Sequence, residues 1–187
     1  QTDSGFEGIG EVTSQSYVCK AIFEAPPSAA RRHGLVHLLL GQDPLDVEGL
    51  WERMYYHTNR YGRRGAAIHA ISGADIALWD LRGKILGKPV CEMLGGQKRT
   101  SVRAYASYLF GDSPKETHEL ANQAVDLGLT AVKFGWGVFG KDAGTDLAHV
   151  EAARKAVGNN RELMVDAGHV WTSAVALERA RLLQPFD

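Results

Sequence analysis

A regular alternation of strand-like and helix-like segments through the second half of the chain leaves it few folds to choose from. Residues 102–107 read as a short strand, and Ser113-Pro114-Lys115-Glu116 then supplies a capping box with proline at the first helical position. Leu120, Ala124 and Leu127 form the apolar stripe of that helix, which Gly128 ends. Residues 130–134 make a second strand. A glycine-rich loop over 135–144 leads to a helix with Leu147, Val150, Ala153 and Val157 facing inward, ended by Gly158. Leu163-Met164-Val165 is the third strand, and Thr172 or Ser173 can cap a further helix carrying Ala176, Leu177, Ala180 and Leu183. Strands and helices at this spacing imply parallel pairing with right-handed crossovers. An open doubly wound sheet and a closed barrel both satisfy the pattern, and in both, ligands gather at the carboxyl ends of the strands. Two charged residues stand there, Lys133 and Asp166. No GxGxxG follows a strand, so the dinucleotide fingerprint is missing.

The first half has a different rhythm. From Asp43 onward a helical period takes over, with Asp43-Pro44 as N-cap and first-turn proline and Leu45, Leu50 and Met54 on related positions. Beyond the turn-rich Tyr61-Gly62-Arg63-Arg64-Gly65, residues 66–86 read as one helix about 30 Å long, with Ile68, Ile71, Leu78 and Ile85 on one side. Gly87 and Pro89 end it, and Leu94-Gly95-Gly96 marks a junction that divides the chain into 1–97 and 98–187. Both ends look cut. Residues 1–12 read as a turn feeding an alternating strand that should pair with something before it, no initiator methionine is present, and the last residues are a helix end entering a loop where another strand is expected.

Composition excludes several classes. With 21 basic and 22 acidic residues the formal net charge is -1, which gives no global attraction to nucleic acid or to an anionic membrane. Cys19 and Cys91 lack CxxC spacing, so neither a zinc site nor a disulfide framework is indicated, and a reducing cytoplasm is the default. No apolar run approaches the roughly 20 residues that span a bilayer, and residues 1–10 lack the regions of a signal peptide.

Four stretches, Gly8-Ile9-Gly10-Glu11, the run Ala70-Ile71-Ser72-Gly73-Ala74-Asp75-Ile76-Ala77-Leu78-Trp79-Asp80, Leu94-Gly95-Gly96 and Met164-Val165-Asp166-Ala167, occur in an order and at a spacing that resembles the enolase superfamily, of the mandelate racemase and muconate-lactonizing kind. The resemblance covers nearly the whole chain, and the Asp-x-Ala-Leu-Trp-Asp core is its most specific part. It implies an α/β fold, with an α+β capping domain in 1–97 followed in 98–187 by the first three β/α units of a (β/α)8 TIM-type barrel. It also implies an enzyme that removes the proton next to a carboxylate. The dianionic enediolate so formed needs a cation and positioned donors, and magnesium prefers oxygen ligands. Asp166 falls where the family has the first of three metal ligands, so Mg²⁺ is the expected cofactor; the other two ligands would come from strands absent here.

Two departures shape the expected activity. The family's second strand commonly ends in Lys-x-Lys, whose second lysine is a base; here the stretch is Lys133-Phe134-Gly135. Lys133 matches the lysine that contacts the substrate carboxylate or adjusts its neighbour, whereas Gly135 cannot move a proton. This disfavours a two-base racemase or a lysine-based cycloisomerase and favours a sugar-acid dehydratase, with a racemase or epimerase of a carboxylate as the alternative. Many relatives have Asp-Ala-Asn where this chain has Asp166-Ala167-Gly168-His169, so His169 is a candidate substrate contact beside its plainer reading as a hydrogen-bonded loop histidine. Trp136 and Phe139, in the loop after Lys133, are candidate walls of the substrate pocket. Tyr61, Arg63 and Arg64 read either as anion-binding or as a solvated turn, Asp75 as buried and hydrogen-bonded, His69 as core and Trp79 as packing. The resemblance further implies a homo-oligomer acting on a small carboxylate. A reading of another class stays beside these: three parallel strands cannot close a barrel, and the chain alone would be a non-catalytic fragment.

Overall fold

A computed structural model describes residues 1–13, 15–28, 33–62 and 64–186. The chain divides into two compact units, Gln1–Thr100 and Ser101–Asp187.

Among its described residues the first unit is helical. It contains α1 (Ser16–Glu24), α2 (Val36–Leu39), α3 (Val47–His57), a 3-10 turn over Thr58–Arg60, α4 (Ala66–Leu86) and α5 (Val90–Met93). Asp43 does not cap α3 as expected. Its carboxylate takes the Leu45 N–H at 2.9 Å and closes a local turn, while Asp46 caps the helix by accepting from Gly49 N. The long helix α4 spans the expected residues and ends on Gly87 at φ 61°, a left-handed C-cap. Its buried face is Ala67, Ala70, Ile71, Ala74, Leu78 and Leu81, and it joins Val47, Leu50 and Met54 of α3 and Cys19 of α1 in one core. Beside that face, Gly73 and Ala77 carry little or no side chain and let neighbouring backbone approach closely.

The segment read as an alternating strand shows what this closeness is for. Residues 6–13 form no ladder among the described residues and instead run against α4, held where Asp80 Oδ2 accepts from Ile9 N at 2.8 Å. Gly8 and Gly10 lie so near the carbonyls of Ala77 and Gly73 that any Cβ there would collide with backbone. Gly10→Ala is therefore expected to cost about 1–3 kcal/mol, the usual penalty for overpacking a site that cannot give, measured as a lowered urea midpoint with an unchanged slope.

Other expectations for this unit are corrected in detail. His69 is exposed, because its position on α4 faces away from the Ile71 stripe. Asp75 is half-buried and has no side-chain hydrogen bond among the described residues; desolvation, then the charge of Glu48, pushes its carboxyl up. Trp79 packs as expected, with the Arg82 guanidinium 5.2 Å from its ring. Tyr61 and Arg64 are exposed, and Arg63 lies outside the described residues.

The second unit repeats strand and helix: β1 (Ala106–Leu109), α6 (Pro114–Asp126), β2 (Ala131–Gly135), α7 (Ala143–Val157), β3 (Glu162–Asp166) and α8 (Ser173–Leu183). The strands pair parallel in the order β1-β2-β3. Ser113 caps α6 through Glu116 N, and Glu116 reaches back to Asp112 N at 2.8 Å, one residue earlier than a standard capping box. Asp142 and Thr172 cap α7 and α8. The helix-facing side of the sheet, with Ala106, Val132 and Phe134, meets Ala121 and Ala124 of α6 and Val150, Ala153 and Val157 of α7. The inward stripes differ from expectation in two places. Leu127 is exposed at the C-cap of α6 while Thr117 is buried a turn into it, and Leu177 and Ala180 of α8 are exposed while Arg179 is buried. Among the described residues no helix is long and apolar enough to cross a membrane.

Candidate functional site

Parallel register sets the site. Ser107, Lys133 and Met164 form one cross-strand row, and Leu109, Gly135 and Asp166 the next. Because side chains alternate, these two rows share the sheet face opposite the helices, at its carboxyl end. Lys133 Nζ lies 3.3 Å from Asp166 Oδ2, with the two side chains only 20% and 36% exposed. The other carboxylate oxygen, Oδ1, accepts from Gly168 N at 3.0 Å. The Gly168 hydrogen bond is the main reason the Asp166 carboxyl lies below the usual carboxylate range; partial burial opposes it, and Lys133 and His169 add favourable charge. Asp166 is thus an anion at neutral pH, fixed in orientation by a turn and a lysine.

The loops after β2 and β3 complete the surroundings. Trp136 follows Gly135 in the left-handed region at φ 53°, a conformation that costs a residue with a Cβ roughly 1–2 kcal/mol. Two backbone hydrogen bonds hold it there: its N–H donates to Asp166 O and its carbonyl accepts from Phe139 N. The indole is half exposed, and Lys133 Nζ lies 5.1 Å from its centroid, within cation–π range. His169 is also left-handed, at φ 66°, and exposed. The four residues expected at the site, Lys133, Trp136, Asp166 and His169, thus occupy one end of the sheet. Phe139 does not join them. It is 2% exposed and stacks on Phe110 at 4.5 Å, so it belongs to the core under the loop and not to a pocket wall.

The polar groups that hold these loops in place follow no local pattern in the sequence. Asp146, fully buried in the first turn of α7, accepts from Gly140 N at 2.7 Å and from Arg179 Nε at 3.0 Å. Trp171 Nε1 donates to Gly140 O at 3.0 Å, so both backbone groups of Gly140 are bound and the loop after β2 is tied to the loop after β3. Thr117 Oγ1 accepts from Gly111 N and lies 2.8 Å from His149 Nδ1. The threonine hydroxyl can donate to an unprotonated Nδ1 while its oxygen accepts from Gly111 N, an arrangement that suits a neutral His149.

Burial pushes the His149 pKa down, with the Asp146 charge partly opposing. In the unfolded chain the imidazole takes up a proton near its ordinary value of 6.5, and in the fold it does so only at lower pH. The unfolded state then binds more protons, and stability falls as pH drops. Unfolding in urea at pH values from about 7 to 5.5 should show this decline, and His149→Gln, which keeps an acceptor for Thr117 but does not titrate, should flatten it.

As a metal site the arrangement offers one hard oxygen donor of the kind magnesium takes. Among the described residues no group of three His, Cys, Asp or Glu side chains is placed to hold a metal ion. Asp166 fits as one ligand of a site whose remaining donors these residues do not supply.

Comparison with known proteins assigns the class. Residues 1–95 match the model of the mandelate racemase / muconate lactonizing enzyme N-terminal domain, and residues 116–187 match the enolase C-terminal domain-like model. The chain belongs to the mandelate racemase / muconate lactonizing enzyme family. It is 37% identical to the arabinonate dehydratase of Saccharolobus solfataricus, over 98% of this chain and 48% of that relative. Among solved structures it is similar to the 3,6-anhydro-D-galactonate cycloisomerase of Zobellia galactanivorans, with a TM-score of 0.84 at 32% identity over 100% of this chain and 49% of that one. It is also similar to a racemase of Streptomyces coelicolor A3(2) with bound magnesium, with a TM-score of 0.80 at 31% identity over 100% of this chain and 54% of that one. The chain spans about half the length of the relatives it matches.

Proposed function

We propose that the protein carrying this chain is a Mg²⁺-dependent enzyme that abstracts the proton next to the carboxylate of a sugar acid and expels water, a hydro-lyase. The observation that carries the reading is the Lys133–Asp166 pair at the carboxyl end of the sheet, an ionised oxygen donor and a cation held 3.3 Å apart. In this reading Asp166 is one metal ligand, Lys133 meets the substrate carboxylate, and Trp136 and His169 border the substrate. Bound magnesium supplies positive charge against the anion that develops when the proton leaves. Lys133 adds a second positive charge at the same end, in a partly dehydrated setting where such a charge acts more strongly than in water. Gly135, in register with Asp166, has no group to move a proton, which argues for a base elsewhere in the protein. Residues 1–97 serve as capping domain and 98–187 as the start of the barrel, and a homo-oligomeric assembly belongs to the same proposal.

A second reading, an isomerase on the same acids, is favoured by the likeness to the Zobellia galactanivorans cycloisomerase. One assay separates the two. A panel of sugar acids incubated in deuterated water with Mg²⁺ should yield a dehydrated keto acid from at least one member, with the activity removed by a chelator and restored by added metal. Metal-dependent exchange of the α-hydrogen without dehydration would replace the hydro-lyase by an isomerase. Neither dehydration nor exchange would overturn both.

A further inference from the structure

We propose that Trp136 is a positioning residue whose indole, seated on Gly168 and facing the Lys133 ammonium, holds together the turn that aims Asp166 and the amine that meets it. The proposal gives Trp136 a role inside the protein and takes the roles of Asp166 and Lys133 from the proposed function.

Three contacts carry it. The space a side chain would need at Gly168 is already taken, since a Cβ there would collide with Nε1 and Cδ1 of the Trp136 indole. Gly168 sits at φ 57°, which lets its N–H turn back onto Asp166 Oδ1 at 3.0 Å. Trp136 N–H donates to the Asp166 carbonyl at 3.3 Å. Residues 136 and 168 thus grip Asp166 from two sides, one through its main chain and one through its carboxylate. The third contact is the ammonium of Lys133, 5.1 Å from the indole centroid and 3.3 Å from Asp166 Oδ2, so the amine is within reach of both ring and carboxylate. Tryptophan at 136 and glycine at 168 are then a matched pair: a larger residue at 168 evicts the indole, and a smaller one at 136 leaves the turn and the lysine without a wall.

The full chain labelled with 5-fluorotryptophan tests the idea without metal or substrate. Tryptophans 51, 79, 136 and 171 each give a fluorine resonance, and Trp136→Phe identifies the one that matters. Gly168→Ala should move the Trp136 resonance while those of Trp51 and Trp79, in the other compact unit, stay in place. Lys133→Met, which removes the cation but not the bulk, should move it too, a response that mere packing would not give. Trp136→Ala should speed hydrogen exchange at the Gly168 amide about tenfold, the protection expected from one hydrogen bond. A Trp136 resonance unmoved by both Gly168→Ala and Lys133→Met, or a Gly168 amide equally protected in Trp136→Ala, overturns the proposal. Because these signals are read without turnover, failure of the dehydration assay leaves them standing, and their failure leaves the dehydration assay standing.

Discussion

Replacing Asp146 with alanine is expected to destabilise the second unit by about 3–5 kcal/mol, the range found when one partner of a buried ion pair is removed. The size follows from what the substitution leaves behind. Arg179 is 8% exposed and loses the carboxylate that neutralises it, keeping, among the described residues, Glu178, which is largely in solvent, and the more distant charge of Asp142. Gly140 loses the acceptor of its N–H, and the first turn of α7 loses a negative charge beside its unpaired amides. Urea unfolding of the variant measures the loss. A double replacement, Asp146→Leu with Arg179→Met, makes the argument sharper. It removes both charges and fills the space with apolar atoms, so it should recover most of the stability, as buried pairs commonly tolerate exchange for hydrophobic groups. If the single and double variants were equally unstable, the cost would lie in the Gly140 hydrogen bond and not in the stranded guanidinium.

That pair was invisible in the sequence for a physical reason. Arg179 lies on a helix where a charged residue ordinarily marks the solvent face, and its partner is 33 residues away on another helix. Local periodicity reports only which residues share a face, so it places Leu177 and Ala180 on the inward stripe of α8 although both are exposed. The same limit moved the stripe of α6 onto Leu127 and away from Thr117, a threonine buried because Gly111 and His149 satisfy its hydroxyl. Helix α1 carries no start signal in the sequence, because it begins without a side-chain cap, on Gln15 at φ 45°. Where the backbone's own signals are strong, as at Gly65 and Gly87 around α4 or at Ser113-Pro114 before α6, the boundaries were legible.

At the candidate site, position was legible and contact was not. Lys133 and Asp166 stand at the carboxyl ends of strands whose type and order follow from hydrophobic runs and caps, and adjacent parallel strands then bring them to one edge. The seat of Trp136 on Gly168 is a relation of volumes between two loops, which no local pattern encodes. Loop membership likewise does not say which way a ring turns; stacking on Phe110 turns Phe139 into the core, with the Trp171 ring 5.5 Å away.

If the protein that carries this chain is the proposed hydro-lyase, Asp166→Asn should lower its Mg²⁺-dependent turnover by about a thousandfold or more, since a metal's charge stabilisation contributes several kcal/mol and each 1.36 kcal/mol is tenfold. Asparagine is the informative choice because it keeps the shape and the oxygen that accepts from Gly168 N, so the turn survives. What it loses is the negative charge, and with it both the ligand for a hard cation and the counter-ion of Lys133. Steady-state rates over a range of Mg²⁺ concentrations separate these losses. If Asp166 acts as a ligand, the variant should need far more metal and should regain part of its rate at high Mg²⁺. Lys133→Met should behave differently: metal dependence stays near that of the parent, while KM for the acid rises and turnover falls, because in the proposed function the lost group meets the carboxylate and not the metal. Equal metal requirements in Asp166→Asn and the parent would remove Asp166 from the metal site and leave its role as the partner that holds Lys133.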